Sequence, residues 1–324
     1  MINKKIIIQV SASFEQGKAL FAWLKKFGQH SDEHFVYWED HAFTTDDLPE
    51  CDGILVLNNP SQKITATCFP ENVIAFMMEP GVYSEHPWMF KQLQQYSAVY
   101  SPLQNSANTV LSHGYMGWFL QQDHNFLSAL PVGDKLLSIS CIASNLAMLS
   151  GHQLRMNFIN TLRKQIPEIN FFGKGSNYIA DKMEGLLPYR YSIAIENTSA
   201  PYYFTEKISD CFLAYTVPLY FGCKNIAKYF PERSFIPINI EEPAAAINKI
   251  RQVIEKNDWP ERISALQEAR HLVLNKYQPL AGAAAILRGI QPSAKRKILI
   301  KPVPDRLLRK IKNALHGAGR KNNG

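Results

Sequence analysis

Hydrophobic runs rich in β-branched and aromatic residues recur along the first half of the chain. They predict buried strands over residues 5–10, 53–57, 72–77 and 98–100. Between the first two runs, apolar residues recur at helical spacing: Ala19, Leu20, Ala22, Trp23 and Phe27. This spacing predicts a crossover helix that covers one face of a sheet. Strands that alternate with helices indicate a parallel α/β sheet, so we expect a Rossmann-like first half.

A second series of strand-like runs follows, again separated by helical patterns. These runs cover residues 135–142, 169–172, 192–195, 217–221 and 234–238. Two later helices are predicted over residues 243–256 and 261–274, because each segment has an apolar face. Pro131 and Gly133 interrupt the periodicity between the two series. The pattern therefore predicts two tandem α/β domains, over residues 1–130 and 131–290.

Composition agrees with a globular α/β protein. The 324 residues are 46% hydrophobic and 19% charged, which is sufficient for a large core. The five cysteines are odd in number and lack C-x-x-C spacing, which favours a reducing compartment. The first apolar run is too short for a signal peptide, and no run approaches the roughly 18 to 20 apolar residues of a membrane-spanning helix. We therefore expect a soluble body.

Charge is concentrated in a predicted tail over residues 291–324. Residues 294–324 carry ten basic residues and one acid, or +9, which leaves −2 for the rest of a chain of net charge +7. Leu307, Leu308, Ile311 and Leu315 share one helical face, which suits an anionic membrane surface. The alternatives are a disordered solubilising tail or one that binds nucleic acid without specificity. We expect no specific nucleic-acid partner.

The segment from Tyr189 to Lys207 carries the clearest chemical pattern, because a strand runs into a polar loop and then a helix. Such junctions are where α/β folds bind ligands. Thr205 is a good N-cap and would place Glu206 and Lys207 in the first helical turn. Unpaired N–H groups and Lys207 would favour a diphosphate, while Glu206 could accept hydrogen bonds from sugar hydroxyls. The alternative is that Glu196 and Lys207 pair in a surface network while Asn197 caps a turn.

The order of this segment closely resembles the signature of the α-1,3-fucosyltransferase family. The shared features are a strand, Glu196-Asn197, a spacer, Thr205-Glu206-Lys207, a helix, and a strand that begins Thr216-Val217-Pro218 and ends at Gly222. The resemblance covers residues 140–240. It implies an inverting GT-B enzyme with two Rossmann-like domains that face each other across a cleft. The C-terminal domain would bind GDP-fucose and the N-terminal domain an acceptor sugar.

The resemblance also implies roles for individual donor-binding residues. Glu206 would contact the ribose or fucose hydroxyls and Lys207 the diphosphate. Asn197 and Tyr203 would contact the donor, and Glu196 would form the floor of the site.

Arg155 matches the family's arginine that reaches the phosphates, because it follows Ala143-Ser144-Asn145 in a helical segment. We expect it near a helix start capped by Ser150. A cation there opposes the helix dipole, so Arg155 is either fully solvated or supplied with an anionic ligand.

Inverting transfer needs a carboxylate that deprotonates the acceptor hydroxyl. Glu79 follows an apolar strand in the sequence Phe76-Met77-Met78-Glu79-Pro80, which resembles the family's short motif for the presumed base. Glu85 and His86 are the alternatives. No D-x-D sequence occurs, so helix N–H groups and cationic side chains would replace a divalent metal, and no cofactor is expected.

The resemblance implies transfer of L-fucose from GDP-fucose to a hydroxyl, with O3 of GlcNAc or glucose expected. The acceptor would belong to a bacterial surface glycan such as a lipopolysaccharide O-antigen. The enzyme would be cytoplasmic and attached to the inner face of the inner membrane. The spacer Ser199-Ala200-Pro201-Tyr202 lacks the expected glycine, which leaves open a transferase for another nucleotide sugar. The weak match around Glu79 leaves open a non-catalytic sugar-binding relative.

Overall fold

A computed structural model describes residues 5–79, 90–143, 150–173 and 177–303 of the chain. The described residues contain two largely parallel sheets, one in each half of the sequence, and a separate two-stranded ribbon. The predicted α/β fold with two tandem units of parallel sheet is therefore confirmed.

The first half forms an eight-stranded sheet with the strand order β2-β3-β4-β1-β5-β7-β8-β9. All neighbouring pairs from β4 to β9 are parallel, whereas β2, β3 and β4 pair antiparallel. The elements are β1 (Ile6–Ala12), α1 (Gly17–Lys25), β2 (His30–Ser31), β3 (Val36–Trp38), β4 (His41–Thr44), β5 (Gly53–Leu57), β6 (Ile64–Cys68), β7 (Val73–Phe76), β8 (Ala98–Ser101), β9 (Thr109–Leu111) and α2 (His124–Ala129).

The second half forms a five-stranded sheet with the order β11-β10-β12-β13-β14, in which every neighbouring pair is parallel. The elements are β10 (Leu137–Ile142), α3 (Ser150–Gln165), β11 (Asn170–Phe172), β12 (Tyr189–Ile195), α4 (Glu206–Leu213), β13 (Val217–Phe221), β14 (Ile236–Pro237), α5 (Pro243–Lys256), α6 (Ile263–Asn275) and α7 (Pro279–Arg288). The order changes direction at β10, because β11 lies on one side of it and β12 on the other.

The central strands are buried because helices and loops cover both faces of the sheets. All five residues of β5 are buried, and so are six of the seven residues of β12. Parallel strands covered in this way read as continuous apolar runs rather than as alternating ones. That is why the longer strands were visible in the sequence.

The chain returns to the first half after α6. Gln278 lies at the N-cap of α7 and donates a hydrogen bond to the carbonyl of Phe27. Within α7, a Cβ added at Gly282 would lie 2.3 Å from the ring of Tyr115, so a glycine is needed for this close approach. Helix α7 therefore joins the second half to the first.

The beginning of the predicted tail is not part of an amphipathic helix. Residues Arg296–Ile300 form β15, which pairs antiparallel with β6, so that Ile298 lies opposite Ala66 and Ile300 opposite Ile64. Ile300 is fully buried, and this burial explains why the segment extends along the first half. The predicted helical face of Leu307, Leu308, Ile311 and Leu315 lies outside the described residues. Among the residues described, no helix is both long enough and apolar enough to cross a membrane.

Candidate active site

The carboxyl ends of β10, β11 and β12 open onto one cavity of about 550 Å³. The cavity lies where the strand order changes direction, which is the usual position of a ligand in an open α/β sheet. Its walls are largely apolar, with isoleucines at positions 142, 159, 179, 193 and 195. The charged wall residues are Arg155, Lys182, Glu206 and Lys207. Three cations and one carboxylate therefore face the same space.

Thr205 joins the end of β12 to the start of α4. Its Oγ1 accepts a hydrogen bond from the Lys207 N–H, which confirms the predicted N-cap and puts Glu206 and Lys207 in the first turn. Glu196 directly follows β12 and accepts hydrogen bonds from the Thr205 N–H at 2.8 Å and the Thr205 hydroxyl at 2.7 Å. Lys207 Nζ lies 3.3 Å from Glu196 Oε2. The pair that the alternative interpretation assigned to the surface is thus formed in the interior, since Glu196 is only 1% exposed.

Glu206 and Lys207 are both charged in the cavity wall. Glu206 Oε1 lies 3.5 Å from Lys207 Nζ and 3.6 Å from Lys182 Nζ. Burial favours the neutral carboxyl, but Lys207 and Lys182 outweigh it and lower the pKa of Glu206 to about 2. Burial also opposes the charge on Lys207, yet Glu206 and Glu196 raise the pKa of that ammonium above its ordinary value. The helix start therefore presents a fixed pair of opposite charges to the cavity.

Arg155 reaches the same cavity from α3. Its Nη1 donates a hydrogen bond of 2.6 Å to Asn197 Oδ1, so two predicted donor-binding residues are in direct contact. Burial lowers the pKa of the Arg155 guanidinium, and the Glu196 and Glu206 carboxylates are among the groups that oppose this effect. Arg155 is 5% exposed, which excludes the fully solvated alternative. It lies in the second turn rather than at the helix start, because α3 already begins at Ser150.

Two backbone features hold the loop between β12 and α4. A Cβ added at Gly222 would lie 2.3 Å from Glu196 Cγ and 2.6 Å from the Tyr220 hydroxyl, so only glycine leaves room for the Glu196 side chain. In the spacer, Tyr202 adopts the left-handed backbone conformation with φ of 64°, and its N–H donates to Asn225 Oδ1 at 2.7 Å. Tyr202 thus takes a conformation that glycine adopts more easily, in a spacer that contains no glycine.

Sequence reasoning missed Lys182 and Asp210. Lys182 begins a short 3-10 turn, Lys182–Gly185, and extends into the cavity, where its Nζ lies 2.7 Å from Asp210 Oδ2. Asp210 lies in α4 and accepts a second hydrogen bond from the Phe119 N–H of the first half. No periodic pattern marks a residue in a 3-10 turn, and Asp210 in a helix looks like any other polar position. Only the spacing of Glu206 and Asp210, four residues apart on one helical face, could have suggested a shared partner.

Two further predicted site residues, Tyr203 and Glu79, are not among the described residues that line the cavity. Tyr203 is 4% exposed. Glu79 is half-buried and follows β7, at the carboxyl edge of the first sheet. The alternatives Glu85 and His86 lie outside the described residues.

No group of three or more histidine, cysteine, aspartate or glutamate side chains in the described ranges is arranged to hold a metal ion. All five cysteines are buried as free thiols.

Two tandem parallel α/β units, with a cation-lined cavity at the strand ends of the second, define the class of the protein by its architecture: it has the GT-B fold. The structure is similar to that of an α1,3-fucosyltransferase with GDP, at a TM-score of 0.53 and 18% sequence identity. The match covers 90% of this chain and 93% of that chain. Likeness at this identity establishes the fold.

Residues 134–259 match the family model described as glycosyltransferase family 10 (fucosyltransferase), C-terminal part. The α-(1,3)-fucosyltransferase FucT of Helicobacter pylori is 36% identical over 61 residues, which cover 19% of this chain and 13% of that protein. The 4-galactosyl-N-acetylglucosaminide 3-α-L-fucosyltransferase 9 of Bos taurus is 28% identical over 149 residues, which cover 44% of this chain and 39% of that protein. The matches thus span less than half of either relative. Residues 134–259 thus match a fucosyltransferase family model, which confirms the resemblance found in the sequence of this segment.

Proposed function

We propose that the protein transfers L-fucose from GDP-fucose to O3 of a GlcNAc or glucose unit in a bacterial surface glycan such as a lipopolysaccharide O-antigen, with inversion at the anomeric carbon. The observation that carries the proposal is the cavity in which Arg155, Lys182 and Lys207 meet the start of α4. Three cations and a helix N-terminus suit a diphosphate without a metal ion. The names of the relatives support fucose as the sugar and, in the Bos taurus enzyme, a 3-linkage to an N-acetylglucosaminide.

Some residues would bind the donor through their charge, and others through hydrogen bonds. Arg155 and Lys207 would bind the diphosphate, and their charge would stabilise the GDP leaving group as the bond to fucose breaks. Glu206 would accept hydrogen bonds from ribose or fucose hydroxyls, while Asn197 would hold the Arg155 guanidinium, to which it is already hydrogen-bonded. Glu196 would form the floor of the site and would hold the start of α4 in position.

Glu79 would be the general base. It would take the proton of the acceptor hydroxyl as that oxygen bonds to the fucose anomeric carbon from the face opposite the departing GDP. Its position after β7, at the carboxyl edge of the first sheet, supports this assignment. Tyr203, which is buried two residues before the N-cap of α4, would support the donor from behind.

The test of the donor is turnover of a panel of nucleotide sugars by the full chain, with lactose- and LacNAc-type acceptors and with EDTA present. We expect turnover of GDP-fucose alone, a product whose anomeric proton coupling in NMR shows inversion, and no loss of rate with EDTA. Lys207→Met should lower turnover at least tenfold, because it removes a charge from the diphosphate site, where 1.4 kcal/mol corresponds to about tenfold. Turnover of a different nucleotide sugar would refute fucose, and activity that EDTA abolishes would refute the metal-free site.

The test of the base is Glu79→Gln, with the exposed Glu33→Gln as a matched control. We expect Glu79→Gln to lower kcat by about 10²- to 10⁴-fold, the usual contribution of a general base. The dissociation constant of GDP should not change. If Glu79→Gln transfers fucose at the wild-type rate and GDP binds normally, the assignment of the base is wrong.

We also propose that the enzyme is cytoplasmic and attached peripherally to the inner face of the inner membrane. The basis is the sequence of residues 304–324, which carries six basic residues and Asp305. Because β15 pairs with β6, a clean deletion begins at residue 304 rather than at 294. We expect the chain that ends at residue 303 to lose binding to phosphatidylserine vesicles and to keep its turnover of soluble acceptors. Equal vesicle binding by both chains would refute the attachment.

A further inference from the structure

Lys182 connects the cavity to the segment that leads from the first half of the chain into the second. Its Nζ forms a 2.7 Å ion pair with Asp210 and lies 3.6 Å from Glu206 Oε1. The same ammonium lies 5.3 Å from the centroid of the Phe119 ring. Asp210 in turn accepts the Phe119 N–H at 2.9 Å. Lys182 is therefore held from one side by Asp210 and Phe119 and faces Glu206 on the other.

The burial of these groups makes the arrangement specific. The Asp210 side chain is 2% exposed and that of Glu206 is 11% exposed, whereas 30% of the Lys182 side chain is exposed. Two carboxylates in such surroundings repel each other unless a cation lies between them. Lys182 is that cation, since its ammonium is within 4 Å of both. Without it, Glu206 would turn away from Asp210, or Asp210, whose pKa burial already raises, would take up a proton.

We propose that Lys182 is a positioning residue for donor binding, which holds the Glu206 carboxylate in place in the cavity and ties it to Phe119. The inference rests on the proposed function in one respect only, namely that Glu206 contacts the donor. It adds a residue that the donor-site signature does not include. It also assigns a role to Asp210, which supports Lys182 from behind and need not contact the donor.

The charged groups around Glu206 determine the pH at which its carboxyl group titrates. Lys207, Lys182, Arg155 and Asp210 all act on it electrostatically. Lys207 and Lys182 both lower the pKa of Glu206, so removal of Lys182 should raise that pKa above its value of about 2 while Lys207 keeps part of the effect. A residue with a merely structural role would not change this titration.

The experiment measures GDP binding by calorimetry between pH 4.5 and 8 for the full chain. We expect Lys182→Met to weaken binding about tenfold at pH 7, because the Glu206 carboxylate loses one of the two ammonium groups that hold it in place. Lys182→Arg should restore most of the affinity. Lys164→Met, which removes an exposed cation of α3, should bind as the wild type does.

Two further measurements keep the inference testable. If Lys182→Met does not fold, the double variant Lys182→Met/Asp210→Asn removes the buried pair together and keeps an oxygen for the Phe119 N–H. We expect it to fold and still to bind GDP about tenfold more weakly. If the wild type binds no GDP, the proposed function fails, but carboxyl ¹³C NMR, assigned with Glu206→Gln, still reports the titration of Glu206. A titration unchanged by loss of Lys182, or wild-type GDP affinity in the double variant, would overturn the inference.

Discussion

Replacement of Thr205 by valine tests the connection between the end of β12 and the start of α4. Valine keeps the shape of threonine and removes one oxygen, which accepts the Lys207 N–H and donates to Glu196. Loss of the helix cap costs about 1 kcal/mol. Glu196 Oε2 is buried and loses its hydroxyl donor, and the loss of a donor by a buried acceptor costs a further amount of about 1–3 kcal/mol. We therefore expect Thr205→Val to lower the free energy of unfolding by about 2–4 kcal/mol.

The assay is urea unfolding of the full chain followed by circular dichroism, together with calorimetric binding of GDP. Thr205→Ser keeps the oxygen and should lie within about 0.5 kcal/mol of the wild type. Thr161→Val is a matched control, because the Thr161 hydroxyl donates only to a carbonyl on the exposed face of α3. We expect GDP to bind about tenfold more weakly to Thr205→Val, since Lys207 loses an anchor. A Thr205→Val protein within about 0.5 kcal/mol of the wild type would refute the reasoning.

Three further substitutions test other parts of the structure. Burial lowers the pKa of His113 to about 3, so the free energy of unfolding of the wild type should fall as pH drops below about 6.5, by up to about 1.4 kcal/mol per pH unit. His113→Phe should flatten this slope when unfolding by urea is measured over the same pH range. Arg155→Lys loses the hydrogen bond to Asn197 and should weaken GDP binding about tenfold in calorimetry, because lysine cannot reproduce the planar fork. Gly222→Ala should lower thermal stability by about 1–3 kcal/mol, because its Cβ meets Glu196; an unchanged melting temperature would contradict this.

The sequence predicted those elements whose burial leaves a continuous pattern. Strands β5 and β13 and helix α5 have the predicted bounds, because their apolar runs or faces are long. The strands β2, β3 and β4 were not predicted, since each has two to four residues, too few to show a period. The strand β15 was read as part of a basic tail. Its inward positions, Ile298 and Ile300, are separated by an exposed Leu299, so the segment lacks the apolar–polar alternation of a strand, and its basic residues were its clearest feature.

The candidate site was predictable where its residues are neighbours in the sequence. Thr205, Glu206 and Lys207 were found because a cap and the first turn of a helix are local features. The contact between Arg155 and Asn197 spans 42 positions, and only the fold shows it. Lys182 and Asp210 were missed for the same reason, because neither residue belongs to a local pattern and each depends on the other.

The charges around the cavity explain why Lys182 and Asp210 would matter for the proposed binding of the donor. Among the described residues, the cations Arg155, Lys182 and Lys207 lie close to the carboxylates Glu196, Glu206 and Asp210. These opposite charges hold each other in position, while only Glu206 of the three carboxylates lines the cavity itself. Under the proposed function, the start of α4 would add to the attraction of these cations for a diphosphate, since the first turn of a helix carries partial positive charge. A cation without its paired carboxylate would attract the donor more strongly but would lose its fixed position. Transition-state stabilisation depends on charges that are fixed in position. Under the proposed function, the paired arrangement would thus supply groups that need no rearrangement when the donor reacts.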